Sequence, residues 1–209
     1  VRKDILELVK EIGTYGLRDF AMTTNGSQLT TMAEPLRKAG MHRLNISLDS
    51  LDADKFRNIT RTGKLSHVLD GIDAAREAGF RGIKINTVVM KGRNDEEIPE
   101  LIEFARKKKV DISFIEEMPL GEISEHDRGL ALCTSEEVRD IIRKHHELVP
   151  ATEDSGGPAR YYRMEDSETR VGFISPHSHN FCSTCNRVRV TVEGRLLLCL
   201  GNEHSVDLR

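Results

Sequence analysis

Apolar positions along the chain switch repeatedly between two periods. Ile5, Leu8, Val9 and Ile12 recur at helical spacing, so residues 2–12 predict an amphipathic helix. Phe20–Thr24 reads as a short strand closed by the turn pair Asn25-Gly26. Thr31–Ala39 is helical and stops at Gly40, and Arg43–Asp49 is the next strand. A short helix over 52–59 follows, with Asp52 as its N-cap, and a longer one over 65–78 runs up to Gly79. Ile83–Met90 is a strand, Asp95–Lys107 a helix, and Ile112–Met118 a strand that stops at Pro119. Strands alternating with helices predict an α/β fold with a parallel sheet.

Two of these strands carry polar residues at every second position. Successive side chains point to opposite faces, so Asn45, Ser47 and Asp49 share one face of their strand, and Lys84 and Asn86 one face of theirs. A parallel sheet covered on both sides is continuously apolar. One face here must meet water, a ligand or a polar network, as the inside of an open (β/α) barrel does. Lys84 stands between isoleucines, and a buried amine needs a partner.

The later sequence changes character. Cys133–His145 predicts a helix with a capping box, Thr134-x-x-Glu137. Asp154-Ser155-Gly156-Gly157-Pro158 is a loop or linker. Residues 160–175 predict a hairpin turning near Asp166–Ser167. A second hairpin pairs Val188–Val192 with Leu196–Leu200 around Glu193-Gly194. Residues 1–121 thus read as a partial barrel and 122–209 as a smaller extension packed on it.

Composition narrows the function classes. The net charge of −3 gives no basic excess for a nucleic-acid partner. Apolar runs such as Leu196-Leu197-Leu198 are far too short to cross a bilayer. Of four cysteines, Cys133 stands alone, and Cys182-x2-Cys185-x13-Cys199 form an odd cluster. Without secretion signals that pattern indicates metal rather than disulfides, and a reducing, cytoplasmic setting. Two metals fit. One is zinc with a fourth ligand from His177, His179 or His204; the other is a [4Fe–4S] cluster with one open iron. Spacing does not separate them, and three unligated core cysteines fit poorly. Arg187 and Arg189, two apart on a predicted strand beside Cys185, share a face and can fork onto phosphate oxygens.

The segment Phe181-Cys182-Ser183-Thr184-Cys185-Asn186-Arg187-Val188-Arg189, followed by Gly194 and Cys199-Leu200, resembles the C-terminal cluster motif of the GTP 3′,8-cyclase family of molybdenum-cofactor biosynthesis. Other segments agree in order: Thr23-Thr24-Asn25-Gly26, Asn45-Ile46-Ser47-Leu48-Asp49-Ser50, Ile83-Lys84-Ile85-Asn86-Thr87-Val88-Val89 and Glu116-Glu117-Met118-Pro119-Leu120-Gly121. The resemblance runs essentially from Val1 to Arg209. It implies an incomplete (β/α) TIM-like barrel of the radical S-adenosylmethionine (SAM) type with a small cluster-binding extension.

By that resemblance, Cys182, Cys185 and Cys199 hold a C-terminal [4Fe–4S] cluster. Thr23, Lys84, Arg187, Val188 and Arg189 contact GTP, and Ser47 and Met118 contact SAM. The implied reaction converts GTP to (8S)-3′,8-cyclo-7,8-dihydroguanosine triphosphate. Implied partners are a reductant, a downstream cyclic pyranopterin monophosphate synthase and a second copy in a homodimer. Radical SAM enzymes also carry an N-terminal cluster on Cys-x3-Cys-x2-Cys, which these 209 residues do not contain. The chain alone is therefore expected not to cleave SAM. Alternative readings are a non-catalytic zinc- or nucleotide-binding module, and another radical SAM enzyme with an auxiliary cluster.

Overall fold

The computed structural model describes residues 3–118, 127–152, 157–199 and 204–209. The predicted end of the fourth strand at Pro119, the division at 121/122, most of the 154–158 loop and Leu200 lie outside them.

The predicted alternation is present. Helix α1 (Ile5–Gly13) leads into β1 (Ala21–Thr24), α2 (Leu29–Lys38) and β2 (Arg43–Ser47). Then come α3 (Ala53–Thr60), α4 (Leu65–Glu77), β3 (Gly82–Val89), a 3-10 turn at Asp95–Glu97, α5 (Ile98–Lys108) and β4 (Asp111–Glu116). Asp52 caps α3, its carboxylate accepting from the backbone of Asp54 at 3.0 Å and Lys55 at 2.8 Å. The helix predicted from Asp95 starts regularly only at Ile98. Pro99 then occupies the first turn, where its missing N–H is not needed.

Strands β1 to β4 pair in order and in parallel. Past them lie α6 (Arg128–Ala131), α7 (Ser135–Arg143), β5 (Leu148–Pro150), β6 (Arg160–Met164) and β7 (Arg170–Ile174). The predicted 160–175 hairpin forms from β6 and β7, but it does not stand apart. Strand β7 pairs parallel to β4, giving one seven-stranded sheet of order β1-β2-β3-β4-β7-β6-β5. The sheet thus runs across the 121/122 division. After a 3-10 turn at Cys182–Thr184, a second sheet is built from β8 (Arg189–Val190), β9 (Arg195–Leu197) and β10 (Ser205–Asp207), all antiparallel.

One face of the large sheet makes the core. Leu44, Ile46, Ile85, Ile112, Phe114, Val171 and Phe173 lie on it, at most 1% exposed. Ile72 of α4 and Leu101 and Ile102 of α5 pack against it, also fully buried. Each such side chain contributes roughly 1.5–3 kcal/mol by leaving water. Gly71 permits close packing of α4: a Cβ there would lie 2.5 Å from the Gly26 carbonyl oxygen. Cys133 is corrected from helix to the extended segment before it. Thr134 is the N-cap of α7, and the predicted capping box with Glu137 is formed. Burial pushes the Cys133 thiol up to about 11, with the Glu137 charge adding to the effect.

Candidate functional site

The other face of the large sheet is polar, because β2 and β3 alternate. Their buried residues face the helices and their half-buried ones face away. Parallel register then assembles the predicted residues into rows. Thr23 pairs with Asn45, Asn45 with Lys84, and Lys84 with Asp111. One row further along, Ser47 pairs with Asn86, Asn86 with Ser113, and Ser113 with Gly172. The Asn45 amide donates to the Thr23 hydroxyl at 3.3 Å. Asn45 Oδ1, Asn86 Oδ1 and Ser113 Oγ are buried without a protein partner.

Charge on this face is distributed unevenly. Asp111 accepts the Arg170 guanidinium at 3.0 and 2.5 Å and its backbone N–H at 3.0 Å. Asp19 pairs with Arg43, and that guanidinium holds its carboxyl below the usual range. Lys84 instead donates to the Tyr161 hydroxyl at 3.2 Å, its ammonium 5.8 Å from the ring centre.

The C-terminal ends of the strands are locked. Asn94 is 1% exposed; its amide donates to the carbonyls of Asp49 at 2.7 Å and Val88 at 2.9 Å and accepts from Met90 N–H at 2.8 Å. Asp49 accepts Val88 N–H at 2.8 Å; burial raises its pKa, and that hydrogen bond opposes the rise. Ser47 ends β2, and Met118 sits half-buried two residues past β4. Both predicted SAM contacts therefore lie at the edge where barrel enzymes place their sites.

Glu116 fastens this edge to the cysteine segment. It is 2% exposed and accepts backbone N–H groups of Ser135 at 2.8 Å, His177 at 2.9 Å and Ser178 at 3.0 Å, plus the Ser178 hydroxyl. Burial alone would raise its pKa, but the hydrogen bonds from Ser178, Ser135 and His177 outweigh that and hold it low. The His177 ring also meets the Glu117 carbonyl at 2.8 Å.

Cys182, Cys185 and Cys199 are exposed free thiols. Between Cys185 and Cys199, Arg189 pairs with Leu197 and Val190 with Leu196. Arg187 holds the Cys185 thiol below its ordinary value, chiefly through its backbone N–H and then through its guanidinium. Among the described residues, no three His, Cys, Asp or Glu side chains converge to hold a metal ion. The predicted strand over Val188–Val192 shrinks to Arg189–Val190, so Arg187 precedes it and strand geometry does not align the two arginines. Arg187 instead stacks on Phe181, 5.2 Å from the ring centre. Phe181 packs on a small cluster of Ala159, Tyr161 and Ile174. A continuous path of contacts therefore leads from Lys84 through Tyr161 and Phe181 to Arg187 and Cys185.

Tyr161 and Glu116 escaped the sequence reading. Glu116 left a signal, a carboxylate ending an apolar strand. Tyr161 left none, because its neighbours come from strands distant in sequence.

Residues 1–105 match the family model of the radical SAM superfamily, and residues 110–209 that of Molybdenum Cofactor Synthesis C. A GTP 3′,8-cyclase of Marinobacter nauticus is 91% identical over all 209 residues. One of Pseudomonas putida (strain W619) is 62% identical over the whole chain. The chain spans 63% of the length of each. Streptococcus suis SuiB, solved bound to S-adenosylmethionine, shares the fold at a TM-score of 0.56 and 16% identity, over 98% of this chain and 48% of its own. With half of its residues matched by that family model, the chain belongs to the radical SAM superfamily.

Proposed function

We propose that these residues form the substrate-binding part of a GTP 3′,8-cyclase, which makes (8S)-3′,8-cyclo-7,8-dihydroguanosine triphosphate at the start of molybdenum-cofactor biosynthesis. The observation that carries it is the contact path from Lys84 to Cys185, which joins the polar sheet face to the cysteine hairpin. The 91% identity, over all 209 residues, to a protein of that name supports it.

In this proposal GTP lies along the polar face. Lys84 and the guanidinium groups of Arg187 and Arg189 meet phosphate oxygens, with Thr23 and the Val188 backbone beside them. Ser47 and Met118 take SAM at the strand ends. The three thiols suit a [4Fe–4S] cluster by kind: all are exposed, Cys182 and Cys185 come from the turn before the β8–β9 hairpin and Cys199 from just after it, and Cys185 is biased toward thiolate. Bound SAM with its cluster supplies one-electron hydrogen abstraction. The chain's part is to hold the ribose and base in register with it and to keep competing groups away. Residues 1–121 act as the partial barrel and 122–209 as the cluster-bearing extension, which lends β5 to β7 to the large sheet and carries β8 to β10 as a second one. A cellular reductant, a downstream cyclic pyranopterin monophosphate synthase, a homodimeric state and a cytoplasmic location complete the proposal. Among the described residues no helix is long and apolar enough to cross a membrane.

No Cys-x3-Cys-x2-Cys occurs in the 209 residues, so ligands for a second, SAM-cleaving cluster are not among them. This polypeptide alone is inferred not to release 5′-deoxyadenosine from SAM. Anaerobic reconstitution tests the assignment. About four iron and four sulfide per chain are expected, with a cluster EPR signal that changes on adding GTP. Stoichiometric zinc with no iron uptake would contradict it.

A further inference from the structure

Each aspartate that faces a cation on the polar sheet face is already taken by an arginine. Asp111 neighbours Lys84 in register, yet it binds Arg170 through both side-chain and backbone contacts. Asp19 binds Arg43. Among the described residues Lys84 has no carboxylate partner, and its ammonium rests on a neutral oxygen, the Tyr161 hydroxyl, at 3.2 Å. A neutral acceptor fixes the position of an ammonium without cancelling its charge, which stays available to an anion.

Tyr161 is built into place from three sides. It is 4% exposed and reaches from β6 across β7 and β4 toward β3. Its path lies over Gly172, where a Cβ would come within 3.0 Å of Tyr161 Cε1 and 2.5 Å of Ser113 Oγ. The guanidinium of Arg170 lies 5.2 Å from its ring centre, the same group that occupies Asp111. Arg170 therefore does two things at once: it withdraws the carboxylate from Lys84 and it backs the ring that holds Lys84.

We propose that Tyr161 is a positioning residue that aims the Lys84 ammonium, uncompensated, at the triphosphate of the nucleotide. The proposal rests on GTP as the ligand of this face. Tyr161 acts through Lys84 and not by contact with the reacting atoms.

The test is a double-mutant cycle read by GTP titration of the reconstituted protein: native sequence, Tyr161→Phe, Lys84→Ala, and both together. Tyr161→Phe is expected to weaken GTP about tenfold, the loss of one hydrogen bond to a charged group. In the Lys84→Ala background the same change is expected to have less than about twofold effect, because the group it serves is gone. Equal losses in both backgrounds, or no loss in either, would overturn the proposal. A ligand-free measurement separates it from the choice of GTP. Acetylation of Lys84 by acetic anhydride, followed by mass spectrometry, is expected to be faster in Tyr161→Phe, with Lys91 unchanged as internal reference. Failure of the native protein to bind GTP, with this labelling difference intact, removes the nucleotide and keeps the Tyr161–Lys84 coupling. Identical labelling rates overturn the coupling itself.

Discussion

The seven-stranded sheet and the cysteine hairpin are held by different means. In the sheet, Leu44, Ile46, Ile85 and Ile112 are wholly buried, and Thr87 on the same face donates its hydroxyl to the Leu48 carbonyl at 2.7 Å. In residues 182–209 no described residue is buried. Its strands run two or three residues, and Val190, Val192 and Leu198 are exposed. A unit this small, without a core, needs a metal or other cross-link to hold one shape. The two regions therefore differ in what is available to hold them: fully buried apolar side chains in the sheet, and only half-buried or exposed ones among the described residues of 182–209.

The sharpest way to break the comparison is to remove a thiol. Cys182→Ser, Cys185→Ser and Cys199→Ser should each abolish iron uptake and the brown absorption of the reconstituted protein. Limited proteolysis should then cut within 186–199, while the main thermal transition stays within the ±0.5 kcal/mol or so typical of surface changes. Cys133→Ser, inside the sheet's core, should keep its iron. Next in size is the core itself. Phe114→Ala should lower unfolding free energy by about 3–5 kcal/mol in denaturant titration, from lost burial and the cavity left behind. Its counterpart in the hairpin, Val192→Ala, at 98% exposure, should change it by less than about 0.5 kcal/mol.

An effect smaller than that of the core is local and depends on pH. Thr134→Ala should cost about 1 kcal/mol at neutral pH by removing the cap of α7. The Lys91 ammonium, together with the Thr134 backbone and hydroxyl, lowers the Glu137 carboxyl from 4.5 to about 2 in the folded chain. Its stabilisation is therefore complete above about pH 4.5 and fades as pH falls toward about 2. Stability of the native protein, measured from pH 7 to pH 2, should fall through that window, and less so in Lys91→Ala, which lacks the largest cause of the shift.

Local chemistry was legible in the sequence where local chemistry decides the structure. The Asp52 cap, the Thr134–Glu137 box and the alternating strands around Asn45 and Lys84 all follow from neighbours a few residues apart. The pairing of β7 with β4 did not show, because it joins residues some 60 positions apart across two helices, and hairpin spacing says nothing about which sheet edge receives it. Tyr161 was hidden for the same reason, since its partners Lys84, Arg170 and Gly172 meet only after that pairing. The two arginines were placed on one strand face by a strand longer than the one that forms.

GTP titration against reconstituted protein tests most directly whether the polar sheet face and the cysteine hairpin form one site. Lys84 stands on the sheet, Arg189 on the hairpin with Arg187 just before it, and Arg143 on an exposed turn of α7 paired with Glu136 and Asp140. Lys84→Ala, Arg187→Ala and Arg189→Ala should each weaken GTP by roughly 10-fold to 150-fold, the worth of one charge-assisted hydrogen bond. Arg143→Ala should leave affinity unchanged. Equal affinities across all four variants and the native protein would contradict the account.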